Sequence, residues 1–280
     1  SLHKTRDQVQ LMHDQTYRAI SLGKDAQEAA EWVYMPNREG QETYGQRESH
    51  VKRMSNARLG WMGNDPYDIN PLSKASFSGH VIDAMGGFDA VVKRAQASNA
   101  KQTLEGWQWA LYLSSELLIA DDTNADVKAI RAEAARALGQ RTSSANARGF
   151  YITEALLHEG NLKFGEHTVT HVNQLNQVLG AVTPAKLAES PLADNVQYLR
   201  YMVDARLAEG KQAEFNVSFE DEGVSYAIAL RNSVIAITET TNSGPTFKLS
   251  KDDWSQLITG DKTFAGIDSS LAPIDHAIGR

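Results

Sequence analysis

Apolar positions recur at helical spacing through the first 160 residues, then switch to alternation between 215 and 238. From Thr5 onward, Val9, Met12, Tyr17 and Ile20 fall on one helical face, and Gly23 ends that run. Asp25-Ala26-Gln27-Glu28 has capping-box form, in which the Asp side chain accepts the third helical amide and Glu28 reaches back. The helix that follows, through Trp32 and Val33, stops at Pro36, and a third is predicted from about Gln41 to Arg58. Leu59 to Leu72 breaks the pattern with Gly60, Gly63, Pro66 and Pro71 and holds Trp61 in an irregular loop. Helical spacing resumes at Ser73, with Phe77, Val81, Ile82 and Met85 on one run; Gly86-Gly87 breaks it, and Phe88 to Ala97 forms the next.

From Gln102 the pattern is that of one tetratricopeptide-like hairpin, a unit of about 34 residues. Trp109, Tyr112, Leu113 and Leu117 lie on its first helix and Val127, Ile130, Ala134 and Leu138 on its second, with Ala110, Ala120, Ala134 and Ala137 small enough for close approach. A last helix is predicted from Ser144 to His158, before Gly160. Residues 161–182 are polar and fit no period. Pro184–Ser190 and Asn195–Glu209 read as helices, the second C-capped by Gly210. The period then becomes two: Phe215, Val217 and Phe219; Val224, Tyr226, Ile228 and Leu230; a turn at Arg231-Asn232; Val234 to Thr238; Phe247 and Leu249. This predicts a four- or five-strand antiparallel meander with one buried face. A capped helix starts at Ser250 and runs to Ile258. The fold class expected is thus α plus α+β, with a helical domain over 1–160 and an α+β domain over 161–280.

Composition narrows the chemistry. A chain of 280 residues with 41% apolar and 22% charged residues has the makeup of a globular protein. The net charge of −7 offers no basic stripe for phosphates, so nucleic acid is not an expected partner. With no cysteine there is no disulfide, no thiolate nucleophile and no Cys-type zinc site. No apolar run reaches the roughly 20 residues that span a bilayer. Ser1 to Asp7 lacks the form of a signal peptide and opens directly into a helix.

Several stretches, in order, resemble the linear alkylsulfatases, enzymes that cleave detergent sulfate esters. Leu59-Gly60-Trp61-Met62-Gly63-Asn64-Asp65-Pro66 with Pro71-Leu72 is similar to the family's Gly-Trp-Tyr loop. Met12-His13-Asp14-Gln15-Thr16, Tyr44-Gly45, Ser49-His50, Ala84-Met85-Gly86-Gly87-Phe88-Asp89-Ala90-Val91 and Arg148-x-Phe150-Tyr151-x-Thr153 resemble further family runs. Residues 183–280 resemble the family's sterol-carrier-like C-terminal domain. The resemblance implies a helical dimerisation domain followed by that domain, with a metallo-β-lactamase-like domain carrying two zinc ions ahead of both. The metal signature of that domain is of the His-x-His-x-Asp-His type. The eight histidines here, at 3, 13, 50, 80, 158, 167, 171 and 276, show no such arrangement, so no metal or cofactor is expected within this chain.

Three departures stand out: Met62 replaces the family's Tyr after Gly-Trp, the family's following Asp-Gly-Asn-Pro becomes Gly63-Asn64-Asp65-Pro66, and ungapped alignment from Trp61 puts Ser49, rather than His50, at a histidine that helps hold the sulfate, a match that a one-residue gap would restore. The substrate-binding set suggested by the resemblance is His50, Tyr44, Arg58, Trp61 and Asn64, with Arg47, Arg53 and Arg58 adding positive charge near His50. Against this stand a helix-surface imidazole, a packing Trp and a solvated basic face. No residue is nominated as nucleophile or base. Met202, Phe215, Val217, Tyr226 and Ile228 are candidates for a groove that takes an alkyl tail, the rival reading being plain core. His167 and His171 share a face with Glu166 beside them, so a zinc site is conceivable, but such a site needs three or four ligands and no further partner is evident.

The function expected from the resemblance is that of the non-metal portion of an alkyl sulfate ester hydrolase, supplying dimerisation, an active-site rim and tail binding. Its expected partners are a second copy, the metallo-β-lactamase-like domain of the same protein, and an alkyl sulfate or other amphiphile, in a periplasmic or secreted location. The alternative is a stand-alone dimeric carrier of amphiphiles without catalysis.

Overall fold

The computed structural model describes residues 2–36, 42–171, 182–241 and 246–280. They fall into two compact units, Ser1–Leu175 and Asn176–Arg280, each described by itself.

The first unit is helical. α1 (Leu2–Ser21), α2 (Ala26–Trp32) and α3 (Arg47–Leu59) enclose a small core of Ala19, Ala29, Ala30, Val33 and Val51. The capping box at α2 forms as the sequence predicts: Asp25 Oδ1 accepts the Glu28 amide at 2.8 Å and Glu28 Oε2 accepts the Asp25 amide at 3.0 Å. α3 begins at Arg47, later than the expected Gln41, which lies outside the described residues together with 37–40. The stretch ahead of α3 is committed elsewhere. Thr43 and Tyr44 carbonyls accept the Ala145 and Asn146 amides at 2.9 and 3.0 Å, satisfying donors that the first turn of α8 (Ala145–His158) leaves unpaired.

α4 (Lys74–Ala84), α5 (Phe88–Ala100), α6 (Leu104–Ala120), α7 (Ala125–Arg141) and α8 pack in sequence around Trp107, Leu113, Leu117, Val127, Ile130 and Leu138. α6 and α7 are the predicted hairpin. The N-caps Thr103 and Asn124 accept the Gly106 and Val127 amides, each at 3.1 Å. The ambiguous stretch after α8 contains a two-residue ladder, β1 (Lys163–Phe164) with β2 (His167–Thr168), and belongs to the first unit; 172–181 lie outside the described residues.

The second unit is a four-stranded sheet with helices. β3 (Ala213–Phe219), β4 (Val224–Arg231) and β5 (Val234–Glu239) form the antiparallel meander, and β6 (Thr246–Lys248) completes the order β5-β4-β3-β6. The β4–β5 turn uses left-handed Asn232 and Ser233 (φ 50° and 59°), which suits the strand twist in a two-residue hairpin.

The expectation of a fully antiparallel sheet fails at β6, which pairs with β3 in parallel, Val217 opposite Phe247. The apolar side of β6 seats Phe247 edge-on to Phe215, with ring centroids 6.0 Å apart. That contact is available only on the far side of the sheet from β5.

Inward positions of β3 and β4 pack on α9 (Pro184–Glu189), α10 (Leu192–Met202), α11 (Lys251–Thr259) and α12 (Ala272–Ala277). Trp254 is fully buried and donates Nε1 to the Asn195 carbonyl at 3.1 Å. The expected helix 195–209 ends instead at Met202. Val203 is extended, and the Asp204 amide bonds the Ala277 carbonyl at 2.9 Å rather than continuing the helix. Gly210 (φ 69°) therefore follows a turn, not that helix. The whole is mostly helical with a small mixed sheet.

Candidate functional site

The loop after α3 is fastened by side chains. Asn64 Nδ2 donates to the Gly23 carbonyl at 2.9 Å and to Glu28 Oε2 at 3.1 Å. The capping box that starts α2 thus also holds the loop, through the same Glu28 carboxylate. Asp68 Oδ2 accepts the Gly63 amide at 3.0 Å and Asp65 Oδ1 accepts the Tyr67 amide at 3.0 Å, at the start of a 3₁₀ turn over Pro66–Ile69. A Cβ at Gly63 would meet Asp68 Oδ2 at 2.5 Å, so a larger residue there would displace the Asp68 carboxylate from its bond to the residue 63 amide. Asn64, expected to touch substrate, is committed to the scaffold. Trp61 is 74% exposed and does not line the cavity at Tyr44 and His50.

Tyr44 and His50 do come together. They line a cavity of about 200 Å³ between α1, the chain at 42–45 and the first turn of α3. Val9, Met12 and Met35 form apolar walls; Thr5, Gln8, Glu42 and Arg47 supply polar ones. The volume is below the roughly 300 Å³ at which drug-sized pockets begin, so it suits a compact group. The His50 ring lies against Gly45 so closely that a Cβ at 45 would collide with its Nε2. Arg47 is held firmly, its side chain 13% exposed, donating Nη1 to the Val33 carbonyl and Nη2 to Glu48 Oε1, each at 2.6 Å. Its Nε is buried with no partner among the described residues. Such an orphaned donor is costly unless something satisfies it.

Arg58 is not part of this cavity; its guanidinium sits 5.8 Å from the Tyr17 ring centroid, a cation–π contact between α3 and α1. Sequence reasoning noted Arg47 as positive charge but left it out of the binding set. The apolar walls were legible only as helix-face positions.

Among the described residues the expected tail groove does not open at these positions. Phe215, Val217, Tyr226 and Ile228 are buried in the closed core of the second unit, with Met202 packed against it. Four rings meet edge-on in that core: Phe219 to Trp254 at 5.9 Å, Trp254 to Phe264 at 5.8 Å and Phe215 to Phe264 at 6.3 Å. An open cavity of this unit lies instead between Arg200 and Tyr201 of α10, the extended Val203 after it, and the edge strand β5.

No group of three or more His, Asp or Glu among the described residues is placed to hold a metal ion. His167 is in β2, whereas His171 lies beyond it, 4.0 Å from Asp122. The two zinc ions belong, by the resemblance, to the domain ahead of this chain, and the described residues offer no ligand set for them. No helix among the described residues is long and apolar enough to cross a membrane.

Comparison with known proteins agrees with this architecture. Residues 27–161 match the alkyl sulfatase dimerisation domain, and residues 180–272 match the alkyl sulfatase C-terminal domain. The chain is 26% identical over 94% of its length to alkyl/aryl-sulfatase BDS1 of Saccharomyces cerevisiae, covering 39% of that protein. It is 25% identical over 90% of its length to a linear primary-alkylsulfatase of Pseudomonas sp., covering 48% of it. The chain thus spans less than half the length of these curated relatives. The fold matches the stereoselective inverting sec-alkylsulfatase Pisa1 from Pseudomonas sp. with a TM-score of 0.74 at 23% identity, over 97% of this chain and 41% of that one. With both domain models matched in order along the chain, it belongs to the alkylsulfatase family and carries that family's dimerisation and C-terminal domains.

Proposed function

We propose that this chain serves an alkyl sulfate ester hydrolase by pairing with a second copy of itself and by presenting the head-group end of the substrate to a metal-bearing catalytic domain. The observation that carries the reading is the cavity shared by Arg47, His50 and Tyr44. It joins an apolar wall of Val9, Met12 and Met35 to an imidazole and a guanidinium whose Nε is unsatisfied. A sulfate ester has the matching form, an anionic head on an alkyl chain, and a guanidinium is the side chain best shaped for such an anion. The dimerisation-domain match supports the homodimer. No catalytic step is assigned to the residues of this chain.

The test is titration with octyl sulfate below its micellar concentration, by calorimetry, on the wild type, His50→Ala and Arg47→Lys, with sedimentation velocity on the same samples. Saturable binding weakened about tenfold in both variants, with a dimer throughout, is the expected result. Equal affinity in all three proteins, or a monomer at micromolar concentration, would overturn it.

A further inference from the structure

In the sheet order β5-β4-β3-β6, one side of β5 has no neighbouring strand. The register fixes which backbone groups point to that side. Arg231 pairs with Val234 across the two-residue turn, and at the other end the Thr240 amide bonds the Ser225 carbonyl at 2.8 Å. Bonded and non-bonded pairs alternate along an antiparallel ladder. Residues 234, 236, 238 and 240 therefore bond β4, and the amides and carbonyls of Ile235, Ile237 and Glu239 point to the open edge.

This edge lacks the usual protection. Sheets blunt a free edge with a short strand, a proline, a bulge or a charge, lysine above all. The other edge strand follows that rule: β6 has three residues and ends on Lys248. β5 has six, Val-Ile-Ala-Ile-Thr-Glu, without proline and with its one charge at the last position. It pairs with β4 residue for residue, so no bulge turns it aside. Four of its six residues are β-branched, and Val234 is exposed.

The cavity beside that edge has a volume of about 580 Å³. Residues 233–238 form one side and Arg200, Tyr201 and Val203 the other, so strand edge and helix end make a slot. Such a slot takes one extended chain. If β5 paired antiparallel with β5 of a second copy, both α10 ends would lie on one side of the joined sheet, over the same seam. Arg200 is the one charged side chain in the lining. Its Nη1 donates to Gln197 Oε1 at 3.1 Å, which takes one of the five N–H donors of a guanidinium. No carboxylate lines the slot to offset it, so its charge favours an acidic occupant.

We infer that β5 and the end of α10 form a docking slot for an extended acidic segment of a partner protein, which adds to the sheet as a fifth strand. Alternate side chains of the segment lie against Tyr201 and Val203, the others face water, and a carboxylate meets Arg200. The slot shares no lining residue with the cavity at His50, and the inference does not depend on the function proposed there.

The test is fluorescence polarisation on the full chain with a labelled peptide, Ser-Val-Thr-Val-Thr-Val-Asp, together with amide NMR of the same complex. Saturable binding is expected, with the largest shifts at the amides of Ile235, Ile237 and Glu239. Peptides N-methylated at alternate amides, made in both phases, are expected to separate: the phase that blocks the amides facing β5 loses binding. A Lys replacement of the peptide's Asp is expected to weaken binding about tenfold. Arg200→Glu should reverse that preference, and His50→Ala should leave binding unchanged. Arg200 is exposed, so its replacement tests the slot without disturbing the core. The inference is overturned by no saturable binding, by equal binding of both methylated peptides, or by equal affinity for the Asp and Lys peptides. It is also overturned if the β5 amides shift with protein concentration alone, which would assign the edge to a second copy, or if octyl sulfate displaces the peptide, which would assign the slot to an amphiphile.

Discussion

Replacing Asn64 separates a scaffold residue from a substrate contact. Its side-chain amide makes two hydrogen bonds, to the Gly23 carbonyl and to Glu28 Oε2, that tie the loop 59–72 to the start of α2. A typical intramolecular hydrogen bond is worth a net 0.5–1.5 kcal/mol, and exposure of both puts this pair toward the low end, at about 1–2 kcal/mol in total. That corresponds to roughly a 5- to 30-fold change in the equilibrium for local opening. Asn64→Ala is therefore expected to speed amide exchange in the peptide covering 59–72 by about that factor, with little change in global melting, because the buried clusters are untouched. Asn64→Asp should open the loop further, since it sets a second carboxylate against Glu28, and added salt should narrow the gap between the two variants. Hydrogen exchange by mass spectrometry on the ligand-free protein reads all of this. Unchanged exchange in 59–72 for both variants would refute the argument. Weakened octyl sulfate binding with unchanged exchange would return Asn64 to the role that the family resemblance suggests.

Other perturbations read the rest of the molecule. Trp254→Ala should cost the second unit about 3–5 kcal/mol in urea denaturation, because the buried indole touches Phe219 and Phe264 and bonds the Asn195 carbonyl. Asp275 is buried and accepts the Phe264 and Ala265 amides at 3.0 and 2.7 Å, so Asp275→Ala orphans two donors and should cost about 3 kcal/mol; Asp275→Asn keeps one acceptor and should lose less. Glu154 has its pKa lowered, from 4.5 to about 2, by the His158 hydrogen bond and by Arg131. Its contribution to stability is thus present above pH 4.5 and lost as pH falls toward 2, so the stability gap between wild type and Glu154→Gln should close over that window in acid titrations. Gly45→Ala has no room beside the His50 ring and should displace it, lowering octyl sulfate affinity while melting stays close to the wild-type value.

Local physics made much of the fold legible. The capping box at Asp25 and Glu28, the α6–α7 hairpin, the helix beginning at Ser250 and the alternation through β3 and β4 each follow from short-range spacing, and each is found in place. The order of family-like runs was equally a property of the sequence, and it identified the two domain types that the comparisons find.

Tertiary structure decided what depends on distant partners. β6 runs parallel to β3 and seats Phe247 on Phe215, a contact some 30 residues away that no local pattern encodes. Segment 42–46 is not helical because Thr43 and Tyr44 spend their carbonyls on amides of α8, a hundred residues on. Alternation correctly gave Phe215, Val217, Tyr226 and Ile228 a shared face, but the same pattern fits an open groove and a sealed core; the helices, with Trp254 on α11 and Phe264 beyond it, decided for the core. The candidate site divides for the same reason. His50 and Tyr44 meet because α3, which carries His50, directly follows the segment that holds Tyr44, while Asn64 and Arg58 are drawn to α2 and α1 by hydrogen-bond and cation–π partners that sequence spacing does not bring near.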